Sequence, residues 1–215
     1  MKDSCRIGDD EACALAEPLG HLTALKSPDL SSNSIRADGA RALAEPFARL
    51  TALKMLQLER NKISADTARA LADPEPLGRL TQLTFLNLSC THLDDCGAAS
   101  ASAPLCRLTA LRSLNLNFNN LGADGARALA EPLGRLSALT ALCLNENRIG
   151  TDGARALAEP LGRLTALKKL HLGGCRLGTD SARALAEPLG RLTALEKLLL
   201  CHNDFGNTTG NAASL

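Results

Sequence analysis

Residues 136–163 read LSALTALCLNENRIGTDGARALAEPLGR, and the two halves of this stretch follow different rules. In the first half Leu142 and Leu144 alternate with Ala141, Cys143 and Asn145. That two-residue period is the mark of a short strand with one buried face. Asn147 follows, then apolar Ile149. An Asn at this point can bond the main chain of the turn that leaves the strand, and stacked copies would satisfy the backbone of successive turns. In the second half Ala154, Leu157, Ala158 and Leu161 fall at helical spacing and form a narrow apolar stripe. Asp152 suits the N-cap of that helix. Arg155 and Glu159 are four apart, as are Glu159 and Arg163, which suits weak ion pairs on an outer face. Pro160 lacks an N–H and disfavours helix at Glu159, so the pattern predicts a helix of about two turns ending near the Glu-Pro step. Gly162 then lets the chain turn towards the next strand.

The same unit recurs along the chain. The openings of the LTAL-like runs are Leu22, Leu50, Leu80, Leu108, Leu136, Leu164 and Leu192, spaced by 28 residues except for one interval of 30 that contains Pro74 and Glu75. Residues 5–21 match the back half of a unit. The chain thus reads as a single domain over residues 1–215, with a partial unit 1–21, complete units 22–49, 50–79, 80–107, 108–135, 136–163 and 164–191, and a partial unit 192–215. The position of Asn147 is held by Asn33, Asn61, Asn119 and Asn203 elsewhere, with Cys5, Thr91 and Cys175 as departures. No unit can bury its apolar face alone, so the units must stack. Strands pack about 4.8 Å apart and helices about 8–10 Å apart. The expected fold is therefore an α/β solenoid bent into an arc, with a parallel concave sheet of about seven strands and short helices on the convex side.

Composition narrows the function classes. Aromatic residues make up 2% of the chain, with no Trp and no Tyr, so the core is built from Leu and Ala. The stacking platforms of single-strand nucleic-acid binders are scarce. The 24 basic and 23 acidic residues give a net charge of +1, without a basic block to track phosphates, so no nucleic-acid partner is expected. No stretch of about 18 apolar residues is present, so no membrane span is expected. The N-terminal residues carry acids where a signal peptide carries its apolar core, which predicts a cytoplasmic protein with reduced thiols. The eight cysteines form no CxxC pair, and neither a metal nor a cofactor is expected.

Side chains between the strand leucines must face the concave surface. Unit by unit the first such position reads Ser27, Met55, Phe85, Ser113, Ala141, Lys169 and Lys197. The second reads Asp29, Gln57, Asn87, Asn115, Cys143, His171 and Leu199, and the third Ser31, Glu59, Ser89, Asn117, Asn145, Gly173 and Cys201. The rim residue beyond them reads Ser32, Arg60, Cys90, Phe118, Glu146, Gly174 and His202. These positions vary while the helices repeat almost unchanged, which reflects either a surface tuned to a partner or drift without structural duty. The candidate partner-binding residues are Met55, Gln57, Glu59, Arg60, Phe85, Asn87, Asn115, Phe118, Glu146, Lys169, His171 and Lys197. Met55, Arg60, Phe85 and Phe118 stand out, because exposed Met, Arg and aromatic residues are common interface anchors. Phe118 either projects outward or folds into the loop core. The same region is irregular: Thr91 replaces Asn, Cys96 replaces the capping Asp and Ala101 replaces the helix Leu, which predicts a poorly anchored helix there.

The LxxLxLxxN core at Leu139, Leu142, Leu144 and Asn147, repeated at a fixed period over almost the whole chain, resembles the leucine-rich-repeat family. The unit length is that of its ribonuclease-inhibitor-like class, which includes the sensor domains of nucleotide-binding immune receptors and the GTPase-activating protein of the Ran cycle. The resemblance implies a right-handed horseshoe that holds a protein partner on its concave face and is not an enzyme. It also offers a regulator of a small GTPase as an alternative. Ribonuclease inhibitor itself is strongly acidic and uses aromatics in binding, unlike this neutral chain, and the GTPase activator carries an acidic tail that CHNDFGNTTGNAASL lacks. No GxxxxGK[ST] nucleotide-binding module is present.

Three features point to other roles. His171 neighbours Cys143 and Cys201 on adjacent strands, but an open sheet offers no oxyanion donor or closed pocket for a thiol–imidazole nucleophile. Asn207-Thr208-Thr209 fits a glycosylation triplet, which arises by chance in many sequences. Neither end of the array has an obvious polar cap, and Leu198, Leu199 and Leu200 sit beside an unpaired edge, so end-to-end self-association or an assembly role is a third expectation.

Overall fold

The computed structural model describes residues 6–64, 66, 68, 69 and 77–206. Cys5, the Pro74–Glu75 insertion and the Asn207 triplet lie outside the described residues. Helices and strands alternate along the chain: α1 (Asp9–Gly20), α2 (Ala37–Arg49), β1 (Met55–Gln57), a 3-10 turn (Leu77–Arg79), β2 (Phe85–Asn87), α3 (Asp95–Leu105), β3 (Ser113–Asn115), α4 (Ala123–Arg135), β4 (Ala141–Cys143), α5 (Gly150–Gly162), β5 (Lys169–His171), α6 (Thr179–Gly190) and β6 (Lys197–Leu199). The strands form one parallel sheet in sequence order, in register at the repeat spacing: Leu86 faces Leu114, then Leu142, Leu170 and Leu198. The expected α/β solenoid is the fold observed.

Among the described residues the sheet has six strands and not seven. The segment 26–30 that would supply the seventh makes a single bridge, Asp29 to Gln57. It still runs beside β1, with the Met55 N–H donating to the Lys26 carbonyl at 3.0 Å and the Leu30 N–H to the Gln57 carbonyl at 3.0 Å. Pro28 lies in its middle and has no N–H to give to a ladder, which confines such a segment to a sheet edge.

Packing follows the leucine register. Leu114, Leu116, Leu142, Leu144 and Leu170 have no exposed surface, as do Leu108, Leu111, Leu136 and Leu139 from the turns that precede the strands. The helix stripe closes the core from the other side through Ala126, Leu129 and Leu133 in α4 and Ala154, Leu157 and Leu161 in α5. Burial of a Leu contributes about 1.5–3 kcal/mol, so the continuous column of leucines holds the stack together. Towards the ends of the described residues the column is less covered, with Leu22 50% and Leu198 39% exposed.

The asparagine ladder forms as the spacing predicts. Asn147 donates to the Leu144 carbonyl of its own unit and to the Leu116 carbonyl of the unit before, at 2.8 and 2.9 Å, and accepts the Leu121 N–H at 3.1 Å. Asn61 and Asn119 make the corresponding bonds. Cys175 has no exposed surface and its thiol points at the Leu144 carbonyl, 3.0 Å away. Thr91 bonds the Leu88 carbonyl of its own unit at 2.8 Å, the short arm of the ladder.

The helices correct four expectations. They run for 11–13 residues and pass through their prolines. The missing amide falls in the last turn, which tightens into three-residue bonds: the Arg163 N–H reaches the Pro160 carbonyl and the Leu164 N–H the Leu161 carbonyl. Leu161 beyond the proline is fully buried, and its burial offsets the lost bond. Gly162 stays helical and makes no turn. A Cβ there would lie 3.3 Å from Pro188 Cα in the next unit, so the bare glycine is what lets adjacent helix ends approach. Asp152 sits in the first turn, pairs with Arg155 at 3.1 Å and leaves the cap without a side chain. Arg155 pairs also with Asp180 and not with Glu159, whereas the Glu159–Arg163 pair forms at 3.5 Å.

Two helices are capped from the preceding unit. Asp95 accepts the Gly122 N–H at the start of α4 at 2.6 Å, and Asp9 accepts the Arg36 N–H at the start of α2 at 2.8 Å. This also explains why α3 is firmly built and not poorly anchored. Asp94 caps it through the Gly97 N–H at 2.8 Å, Asp95 ties it to α4, and Ala98, Ala101 and Leu105 are buried.

Leu114→Ala is expected to destabilise the protein by about 3–4 kcal/mol, as for other leucines truncated in closed cores, whereas Leu198→Ala at the open end costs less than about 1 kcal/mol. Urea unfolding of the two variants checks the difference. Burial pushes the Cys175 thiol up to about 12 from 9.0. Stability that depends on this neutral thiol is whole below the unfolded value of 9.0 and drains as pH rises toward about 12, because the unfolded chain loses the proton first. Cys175 is therefore expected to resist iodoacetamide in the folded protein at mildly alkaline pH and to react after denaturation, as read by peptide mass spectrometry, while exposed Cys13 reacts in both states.

Candidate functional site

The concave surface is built by strand alternation. With the leucines of β1–β6 turned inward, the first-row residues Met55, Phe85, Ser113, Ala141, Lys169 and Lys197 stand side by side as register partners. Met55 and Phe85 are half-buried neighbours, and Lys169 and Lys197 are exposed neighbours. The row thus changes from apolar to cationic across the sheet. In the second row Gln57, Asn115 and His171 are half-buried, whereas Asn87 is only 5% exposed. Its amide donates to the Glu59 carboxylate and its oxygen accepts the Ser89 N–H at 3.1 Å and the Ser89 hydroxyl at 2.9 Å. Asn87 is therefore committed to neighbouring side chains and offers a partner little surface.

The third row holds a second ladder, which position on the concave face alone does not reveal. Asn117 Oδ1 accepts the Asn145 N–H and Asn145 Oδ1 accepts the Gly173 N–H, each at 2.8 Å. These amides continue the pairing where the strands end. The signal in the sequence was the recurrence of Asn at 117 and 145, one repeat apart, which a surface under drift has no reason to show.

The rim positions share one backbone conformation. Ser32, Arg60, Cys90, Phe118, Glu146 and His202 all have φ between 53 and 57°, and Gly174 has 64°. For a side-chain-bearing residue this left-handed state costs about 1 kcal/mol. It turns the chain out of the sheet and into the loop. Phe118 projects outward and is 58% exposed, so it does not fold into the loop core. It borders a rim hollow of about 320 Å³ with Asn120, Glu146, Arg148 and Arg176. The Glu146 carboxylate leans over Gly174 in the next unit, where a Cβ would meet it at 2.4 Å.

Met55, Arg60, Phe85 and Phe118 do not form one cluster. Met55 and Phe85 lie where the strands begin, and Arg60 and Phe118 lie on the opposite rim, about 16 Å along the strand direction at 3.3 Å per residue. The sequence places them on successive units but says nothing of this separation unless the position within the strand is counted.

His171 and Cys143 do meet, with Nδ1 and Sγ 3.5 Å apart. Burial pushes the Cys143 thiol above its usual range. Burial also pushes the His171 imidazole below its usual 6.5, with Lys197 and Lys169 adding to the effect. Both groups are thus held neutral, the opposite of an activated thiolate–imidazolium pair. His171 Nε2 is buried and has no hydrogen-bond partner among the described residues. Among the described residues no group of three or more His, Cys, Asp or Glu side chains could hold a metal ion.

A family model described as Leucine Rich repeat matches residues 21–44, 108–130, 137–158 and 164–186. No curated protein matches the chain. Each matched segment contains one strand position and the start of the helix that follows it. These four repeats support a leucine-rich-repeat family for the chain. The alternation of helices with a six-stranded parallel sheet is that of a leucine-rich-repeat α/β solenoid.

His171 links the concave face to pH. The unfolded chain takes up the imidazole proton near pH 6.5 and the folded chain only at lower pH, so stability due to the neutral ring is whole above 6.5 and is lost as pH falls. His171→Asn is expected to show a smaller drop in Tm than the parent between about pH 7.5 and about pH 5, measured by differential scanning calorimetry.

Proposed function

We propose that this leucine-rich-repeat solenoid is a protein-interaction module that holds a partner on its concave sheet and performs no catalysis. The observation that carries the reading is the contrast between its two faces. The convex side repeats the same small set of residues and neutralises itself: Arg135 pairs with Glu131, Arg163 with Glu159, and Arg191 with both Glu159 and Glu187. The first row of the concave side changes chemistry from Met55 and Phe85, half-buried, to Lys169 and Lys197, exposed. A partner with an apolar group near β1–β2 and an acidic one near β5–β6 matches this row.

The 28-residue period supports placement in the ribonuclease-inhibitor-like class. The seven described cysteines are all free thiols, which supports a reducing, cytoplasmic setting. Among the described residues no helix is long and apolar enough to cross a membrane. No observation favours the GTPase-regulator alternative over a general binding module. Among the described residues Leu22 and Leu198 are partly exposed, which supports self-association as a subsidiary role.

Affinity capture tests the main reading. The intact chain, a concave variant with Phe85→Ser, Lys169→Glu and Lys197→Glu, and a convex control with Arg127→Glu and Arg183→Glu are each used as bait after thermal melts confirm folding. Proteins held by the intact chain and by the convex control are expected to fall about ten-fold or more with the concave variant, the loss of about 1.4 kcal/mol or more. Equal retention by the concave variant overturns the proposal.

A further inference from the structure

The loops that leave the strands of the first units enclose a hollow of about 510 Å³, a volume within the range of small-ligand sites. Its walls include Arg6, Ser32, Ser34, Arg60, Lys62 and His92, and no carboxylate is among its lining residues. This is unusual in a chain whose formal charge is only +1. The convex arginines have acidic partners, whereas Arg6 and Arg60 form no ion pair among the described residues. The adjoining hollow, which shares Lys62 and His92, holds two carboxylates, and both have other partners: Asp9 accepts the Arg36 and Gly39 N–H groups, and Asp38 pairs with Arg41.

The arrangement follows from the repeat. Arg6, Ser34, Lys62 and His92 occupy one position, the residue after the ladder site, on four successive units. Ser32 and Arg60 occupy the rim position on two of them, where the left-handed turns, φ 57 and 54°, carry the chain away from the sheet. Stacking units at strand spacing therefore converges these side chains on one hollow.

We propose that this hollow binds a phosphorylated side chain of the protein partner that lies on the concave sheet. The two guanidinium forks, together with the two hydroxyls, offer more donors than a single carboxylate can accept, and a phosphomonoester brings three acceptor oxygens and close to two negative charges. A nucleic-acid backbone is a poorer match, because the run of basic groups is interrupted: uncharged Asn120 follows His92 at the same position of the next unit, the next hollow along the rim sets Glu146 beside Arg148 and Arg176, and Glu59 faces the adjoining sheet. The pocket deepens the interaction-module reading and rests on it for the identity of the partner, but its chemistry can be tested alone.

The probe is a short peptide containing phosphoserine, titrated into isotope-labelled protein and followed by amide chemical shifts, with the unphosphorylated peptide alongside. Saturable shifts confined to residues 32–34, 60–62 and 90–92, caused by the phosphopeptide alone, are the expected result. Arg60→Gly removes a guanidinium while relieving a left-handed residue, so it is expected to fold at least as stably and yet bind about ten-fold or more weakly. Arg6→Gln gives an independent loss of similar size. Equal shifts from both peptides, shifts spread over the chain, or unchanged affinity in both variants overturn the pocket. Displacement of the phosphopeptide by a lower concentration of single-stranded oligonucleotide also overturns it, in favour of nucleic acid. None of these failures touches the capture experiment, whose substitutions at Phe85, Lys169 and Lys197 lie outside the hollow.

Discussion

Every unit of this protein must leave its strand by a sharp turn, and the turn strands buried backbone groups that water cannot reach. The side-chain amide at Asn61, Asn119 and Asn147 meets this constraint. One amide serves carbonyls from two units and one N–H of the earlier unit, so each asparagine ties its unit to the one before. A buried backbone group left unpaired costs about 1–3 kcal/mol. The ladder therefore decides whether the leucines can stack at all, and the leucine column in turn supplies the apolar burial that makes stacking favourable. Cys175 and Thr91 keep part of the pattern with fewer bonds, which shows how far the site tolerates substitution.

The helices are fitted to this inner frame. Their spacing is set by small residues where neighbours touch, as at Gly162 against Pro188 and at Gly125, where a Cβ would come within 3.2 Å of Asp95 Cα. Asp95 then closes the first turn of the next helix through the Gly122 N–H. Neighbouring helices thus approach closely at both their starts and their ends, with a glycine at each approach. That is why the GARALAEPLG segment repeats so closely while the strand faces diverge.

Most of the architecture was legible because it depends on period. The leucine spacing fixed which residues turn inward, and the recurrence of Asn located the ladder. Features that depend on contacts between units were not legible within one unit. Asp152 looks like a cap, yet α5 has no side-chain cap, and the helices α2 and α4 are capped by Asp9 and Asp95 of the preceding unit. Pro160 looks like a stop, yet buried Leu161 draws the helix past it. Pro28, which reduces a seventh strand to a bridge, was visible in the sequence and is explained by its missing N–H. On the concave face the rows were legible but their commitments were not. Asn87, Asn117 and Asn145 look like free polar groups until their partners on adjacent strands are seen. The hollow lined by Arg6, Arg60 and His92 was hidden for the same reason, since its residues come from different units.

The left-handed rim residues carry a wider implication. Ser, Arg, Cys, Phe, Glu and His all adopt the same torsion at this position, because the sheet and the ladder on either side impose it. The penalty is nearly the same for each of them, so it does not favour one chemistry over another. The edge of the arc behaves as a row of equivalent sockets at fixed pitch. Exchanging the occupant of one socket alters what the edge can recognise while the frame beneath it stays as it was, and a new specificity can arise by single steps without a detour through an unfolded ancestor.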